Sequence, residues 1–260
     1  MALHGAAAWG ADMTPLPRIV SAETLDGLAE DDPIAMRSRR DLQRVHRIMR
    51  TRSILLRTLR AWPMPRVGVT PLRVLELGAG DGSLMLRVAQ ALAPAWPCVD
   101  LTLLDRQALI QPETVQQYAK LGWTAKSTLV DALDWAAEPA EQRVTDGANH
   151  GWDVIIANLF LHHFQGQQLT DLLRAVATRC NHFLACEPRR ARFALIGSHL
   201  IGAIGANAVT REDAVLSVHA GFQGLELSTL WPELDGTWTV QEQSAGMFSH
   251  CFMAVRARAN

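Results

Sequence analysis

The chain has 260 residues, 48% of them apolar and 20% charged, and its 25 Lys and Arg against 26 Asp and Glu leave a net charge of −1. That length carries one α/β core with decoration and is short for two independent domains. The balance of apolar and charged residues excludes a disordered chain and gives no sign of a strongly polyanionic partner. Cys98, Cys180, Cys186 and Cys251 are widely spaced, with no CxxC pair and no His at metal-ligand spacing. Buried free thiols, no metal and a cytoplasmic location are therefore expected. Met1 to Met13 lacks the basic start and apolar run of a signal peptide. The longest uncharged stretch, residues 193–209, includes Ser198, His199 and Asn207 and is shorter than the roughly 20 apolar residues of a spanning helix.

Residues 1 to about 35 are rich in Ala and Gly, read as poorly ordered, and turn acidic at Glu30, Asp31 and Asp32 before Pro33. From Arg37 to about Arg60, Leu42, Val45, Ile48, Met49, Leu55, Leu56 and Leu59 recur at spacings of three and four, which predicts one amphipathic helix. Its other face carries Arg40, Arg44 and Arg47, either solvated or facing an anionic partner. Pro63, Pro65, Gly68 and Pro71 then break the helix. Residues 1–70 thus read as a helical extension or cap, and 71–260 as the main domain.

Within that domain, short apolar runs alternate with helical patterns, as a parallel sheet with crossover helices requires. Strands are expected at 72–77, 99–104, 125–130, 153–157 and 182–186, and helices at 83–92, 113–121 and 168–179. Val154 to Ala157 reads VIIA, a strand buried on both faces. Residues 189–235 form a cap insertion, mostly apolar and helical near 190–220, and 237–241 with 248–255 form an antiparallel hairpin at the sheet edge. The fold class is α/β: a Rossmann-like, mostly parallel seven-stranded sheet with an antiparallel C-terminal hairpin and an N-terminal helical extension.

The first strand runs into Glu76-Leu77-Gly78-Ala79-Gly80-Asp81-Gly82-Ser83, and a helix opens at once. Ligands of open α/β sheets bind at the carboxyl ends of the strands, and glycines let the main chain approach them. A dinucleotide loop is G-x-G-x-x-G, whereas this one is G-x-G-x-G with Ser83 in sixth place. Asp81 is a poor neighbour for a pyrophosphate but is tolerable beside the sulfonium and amino group of S-adenosylmethionine (SAM). Asp105, at the end of the second strand, can accept hydrogen bonds from ribose hydroxyls. Asp131, after the third, either meets an adenine amine or caps the helix that follows.

These residues resemble the class I SAM-dependent methyltransferases over roughly 70–190. Val74 to Gly82 looks like their first motif, Asp105 like their ribose-binding acid, Asp131 like their adenine-side acid, and 153–164 like their fourth-strand motif. The run Asn158-Leu159-Phe160-Leu161-His162-His163-Phe164 with Glu187-Pro188 is similar to enzymes that methylate quinone precursors and polyketides. The resemblance implies cofactor contacts at Glu76, Gly78, Ala79, Gly80, Gly82, Asp105, Arg106, Asp131, Ala132 and Asn158. It also implies methyl transfer to an oxygen or carbon of a small, apolar or aromatic molecule. An NAD-dependent oxidoreductase and a non-catalytic SAM-binding scaffold are the competing readings. Base-methylating enzymes carry D/N-P-P-Y/F where this chain has Asn158-Leu159-Phe160, and the only lysines, Lys120 and Lys126, cannot supply the tetrad of ribose 2′-O enzymes, so no nucleic acid is expected.

Methyl transfer from a sulfonium is an in-line displacement that rests on alignment and water exclusion, with a base only where the acceptor must lose a proton. His162 and His163 follow the fourth strand and are the candidate catalytic residues, either as base or in packing the site. His219 and Arg211 are weaker candidates. Arg189, Arg190 and Arg192 either neutralise a substrate carboxylate or open a surface helix, and Phe193 to Ile204 with Trp231 and Trp238 either line an apolar acceptor pocket or pack the core.

Overall fold

The computed structural model describes residues 16–62, 70–96, 98–139, 151–233 and 238–257. An extended strap with a single helical turn, α1 (Thr24–Gly27), leads into α2 (Pro33–Ile48) and α3 (Thr51–Ala61). Pro33 presets the first turn of α2, and Asp32 caps it by accepting from Ile34 and Ala35 N–H at 2.7 and 3.2 Å. The single helix expected over 37–60 is two, because Arg50 takes a left-handed φ of 57°. The apolar period continues across the break, so spacing alone carried no signal of it. The halves bury different things: Leu42, Val45, Ile48 and Met49 face a cavity, while Leu55, Leu56 and Leu59 enter the core. Arg40, Arg44 and Arg47 are exposed.

The sheet is built from β1 (Leu72–Leu77), β2 (Val99–Asp105), β3 (Trp123–Leu129), β4 (Trp152–Asn158), β5 (Cys180–Pro188), β6 (Trp238–Ala245) and β7 (Ser249–Arg256). Their order is β3-β2-β1-β4-β5-β7-β6, parallel up to β5 and antiparallel where β7 joins β5 and β6. The helices between them are α4 (Ser83–Leu92), α5 (Pro112–Ala119), α6 (Ala132–Ala137), α7 (Gly166–Arg179), α8 (Arg192–Leu200), α9 (Ala208–Ala220) and α10 (Glu226–Leu230). Alternate residues feed two cores: Val74, Val154 and Ile156 pack with α3 and α4, while Leu75, Leu77, Ile155 and Ala157 pack with α7. Burial on both faces is why β4 carries an unbroken apolar run. The chain reverses direction across the sheet between β1 and β4, and ligand crevices open at such a switch point.

Trp231 stacks on Phe183 with centroids 5.5 Å apart and meets Trp238 edge-on at 5.2 Å. Trp231 belongs to the core and Trp238 packs partly buried against it, the core-packing alternative of the two. Cys180, Cys186 and Cys251 are buried and all four cysteines are free. Among the described residues, no helix is long and apolar enough to cross a membrane.

Candidate active site

A cavity of about 920 Å³ lies at the carboxyl ends of β1, β2 and β4. Its floor is the glycine loop, where Gly78, Gly80 and Gly82 all take positive φ, at 66°, 55° and 70°. A Cβ on Gly80 would meet nothing within 4 Å, so bare main chain faces the cavity there. The loop is tied from both sides. Asp105 accepts from Gly80 N–H at 2.8 Å and Gln107 N–H at 3.0 Å, and the hydroxyl of Tyr118 donates to the carbonyl of Gly82 at 2.9 Å. Tyr118 is the chain's one tyrosine, buried on α5, and no local pattern tied it to the loop.

Two buried acceptor atoms in this floor have no hydrogen-bond partner among the described residues, Glu76 Oε2 and Asn158 Oδ1. Burial, with the charges of Asp81 and Asp105 nearby, holds the Glu76 carboxyl well above the usual carboxylate range. Asp81 accepts from Ser83 N–H at 2.9 Å and from Gln43 Nε2 of α2 at 2.8 Å. Asp131 caps α6 by accepting from Leu133 N–H at 2.7 Å, the capping alternative, and also lines the cavity beside Ala132. Arg106 also borders the cavity and pairs with Asp26 at 3.3 Å.

At the other end, the turn after β4 brings Phe160, His162 and His163 to the wall. Leu159 takes a left-handed φ of 49°, uncommon for a branched residue, and the N–H groups of Phe160, Leu161 and His162 then converge on the Glu187 carboxylate at 3.0 to 3.3 Å. His162 Nδ1 lies 2.8 Å from the same carboxylate, and its Nε2 lies 3.3 Å from Glu23 on the strap. Burial opposes a charge on His162, but the bonds to Glu187 and Glu23 prevail and raise its pKa to about 9. His163 behaves in the opposite sense. Burial and the neighbouring His162 charge lower its pKa, while its Nδ1 lies 3.5 Å from Asp26.

The strap and α2 roof this space. Thr24 and Leu25 N–H donate to Asp213 of α9 at 2.8 and 2.9 Å, Ser217 donates to Glu23, and Arg18 donates to the carbonyls of Ala220 and Phe164, each at 2.8 Å. Residues 16–32, expected to be poorly ordered, therefore form a wall of the site. Glu23 and Asp26 join the site only through these tertiary contacts, which no local pattern announces. His46 of α2 also lines the cavity, and burial beside Arg87 lowers its pKa to about 4.

Other candidates fall outside. Arg190 is buried and spent on Glu226 and on the Leu16 and Gly221 carbonyls, and Arg189 and Arg192 border a separate groove. His219 and Arg211 do not line the cavity; Arg211 packs against Gly202. Of 193–204, Ala194, Gly197, Ser198 and Ile201 reach the cavity, whereas Phe193, Ile196, Leu200 and Ile204 point to solvent.

No family model matches the sequence, and no curated protein does. The structure is similar to the plantazolicin methyltransferase BpumL solved with SAH, at 15% identity over 88% of this chain and 92% of that one, with a TM-score of 0.56. The plantazolicin methyltransferase BamL, solved with a triazolic desmethylPZN analog and SAH, gives 13% identity over 90% and 94%, with a TM-score of 0.58. The small RNA methyltransferase HEN1 gives 13% identity over 81% of this chain and 25% of that one, with a TM-score of 0.52. The likeness at these identities is one of fold: the chain has the mostly parallel, seven-stranded α/β architecture of these methyltransferases, with its cavity at the strand ends.

Proposed function

We propose that the protein transfers a methyl group from SAM to an oxygen or carbon of a small molecule with an apolar or aromatic body. The observation that carries this reading is the pairing of bare main chain at Gly80 with two orphaned acceptors, Glu76 Oε2 and Asn158 Oδ1, in one cavity floor. Buried acceptors without donors are costly, and a cationic ligand bearing N–H groups satisfies them. SAM brings that cation and a sulfonium-bound methyl group. Asp105 is placed to receive its ribose, Val130, Asp131 and Ala132 border the adenine end, and Gly78 to Gly82 support the chain between. A nicotinamide dinucleotide would set its pyrophosphate against Asp81 and Asp105, which disfavours that reading. A scaffold would have no use for orphaned polar atoms around an open cavity. SAH bound to BpumL and BamL, on the same architecture, supports the choice of cofactor.

On this reading the strap, α2, α8 and α9 exclude water and align the acceptor. His162, an imidazolium between two carboxylates, positions the turn and the strap; His163, uncharged beside it, is the ring able to take a proton from the acceptor. The four free cysteines fit a cytoplasmic enzyme. Calorimetry with SAM, S-adenosylhomocysteine and NAD tests the cofactor: binding of NAD alone, or of none, overturns the proposal. Mass spectrometry of extracts given labelled SAM identifies the acceptor. His163→Ala should then lower kcat most at neutral pH, with SAM affinity retained.

A further inference from the structure

Helix α8 has two apolar faces. Ala194, Gly197, Ser198 and Ile201 look into the cavity, while Phe193, Ile196 and Leu200, spaced three and four apart, are 36%, 61% and 63% exposed on the other side. Two further exposed apolar side chains, Leu225 and Met247 at 62% and 63%, are tied to this face. Phe248, next to Met247, lies 6.5 Å from Phe193 ring to ring, and Leu225 shares a groove with Phe193, Arg189 and Arg192.

Its charge is one-sided. Residues 189–211 contain Arg189, Arg190, Arg192 and Arg211 and not one Asp or Glu. Arg190 is spent on Glu226 and Glu212 follows directly after Arg211, but Arg189 lies over the Phe193 ring at 4.9 Å and Arg192 is exposed at the start of α8. An exposed helix face with bulky apolar side chains, edged by arginines, is the pattern of helices that lie in a bilayer interface. Isolated exposed leucines need no explanation; a set spaced along one helix face with a basic border does.

We propose that the outer face of α8, with Leu225 and Met247, docks on an anionic phospholipid surface. Phe193, Ile196 and Leu200 enter the acyl boundary, and Arg189 and Arg192 meet the lipid phosphates. The same helix walls the cavity, so docking sets the acceptor end beside a reservoir of apolar molecules. The docking stands on the surface alone, and only the supply of acceptor rests on the methyl-transfer reading.

The test is sedimentation of the full chain with phosphatidylcholine vesicles, with and without phosphatidylglycerol. The expected result is partitioning that rises about tenfold or more with the anionic lipid and falls with added salt. Ile196→Glu with Leu200→Glu should abolish it, and Arg189→Glu with Arg192→Glu should remove the preference for anionic lipid, with thermal midpoints unchanged in both. Equal binding to both vesicles, no binding, or variants that sediment like the parent overturn the proposal. So does a concentration-dependent dimer lost in Ile196→Glu with Leu200→Glu, which would give the face to a second copy.

Discussion

Gly78 is backed by Phe160: a Cβ at Gly78 would stand 2.2 Å from the Phe160 ring. The first glycine of the loop is therefore required by the turn after β4, which the same ring helps to build, while Gly80 is open on its far side. Two glycines of one motif answer to different neighbours.

This separation is measurable. Gly78→Ala combines a φ of 66° with a collision and should destabilise the fold by roughly 2 kcal/mol or more. Gly80→Ala carries only the backbone cost, about 1 kcal/mol, but sets a methyl group into the cavity. Its thermal midpoint should stay near that of the parent while calorimetric affinity for SAM falls at least about tenfold. Undiminished affinity would remove the loop from the cofactor site.

Glu187 collects three backbone N–H groups and the His162 ring. Glu187→Gln keeps the shape but takes away the charge, so the His162 pKa should drop well below its present value of about 9, as read by NMR titration of the ring protons. Removing one member of a buried ion pair costs about 3 to 5 kcal/mol, and urea unfolding should register a loss of that order. A His162 pKa unchanged in the variant would mean that Glu187 does not hold it.

Because the folded pKa of His162 lies above its unfolded value of about 6.5, the pair stabilises the protein fully below that pH. The contribution is lost as pH rises through about 9. Unfolding free energy should fall between pH 7 and 9.5 in the parent and less steeply in Glu187→Gln. A flat parent profile over that window would contradict the assignment.

Glu76 links the cofactor to pH in the other direction. Burial and the charges of Asp81 and Asp105 raise the pKa of its carboxyl, and a bound cation favours its ionised form. Affinity for SAM should therefore rise with pH, affinity for the uncharged thioether product should rise less, and Glu76→Gln should remove the difference. Calorimetry of both ligands across pH decides it.

Asp105→Ala should weaken SAM binding by roughly 1.5 to 3 kcal/mol, the range of hydrogen bonds to charged groups. The variant also frees Gly80 N–H, so a matching fall in thermal midpoint separates loop anchoring from ribose recognition.

What the chain declares by itself is the part written in local pattern. The β1 and α4 limits, the VIIA run of β4 and the glycine loop all follow from apolar period and from glycine's access to positive φ, which need no distant partner. The site's far wall is another matter. Arg50 breaks a helix whose period runs on unbroken, and Glu23 reaches His162 from 139 residues away. Residues 16–32 are ordered by Asp213, Ser217 and the carbonyls of α9 rather than by any preference of their own. Which histidine carries a proton depends on those carboxylates, because burial alone would leave both rings neutral. Local spacing encodes elements and a loop; charge state and enclosure come from contacts between residues far apart in the chain, and only the folded structure brings these together.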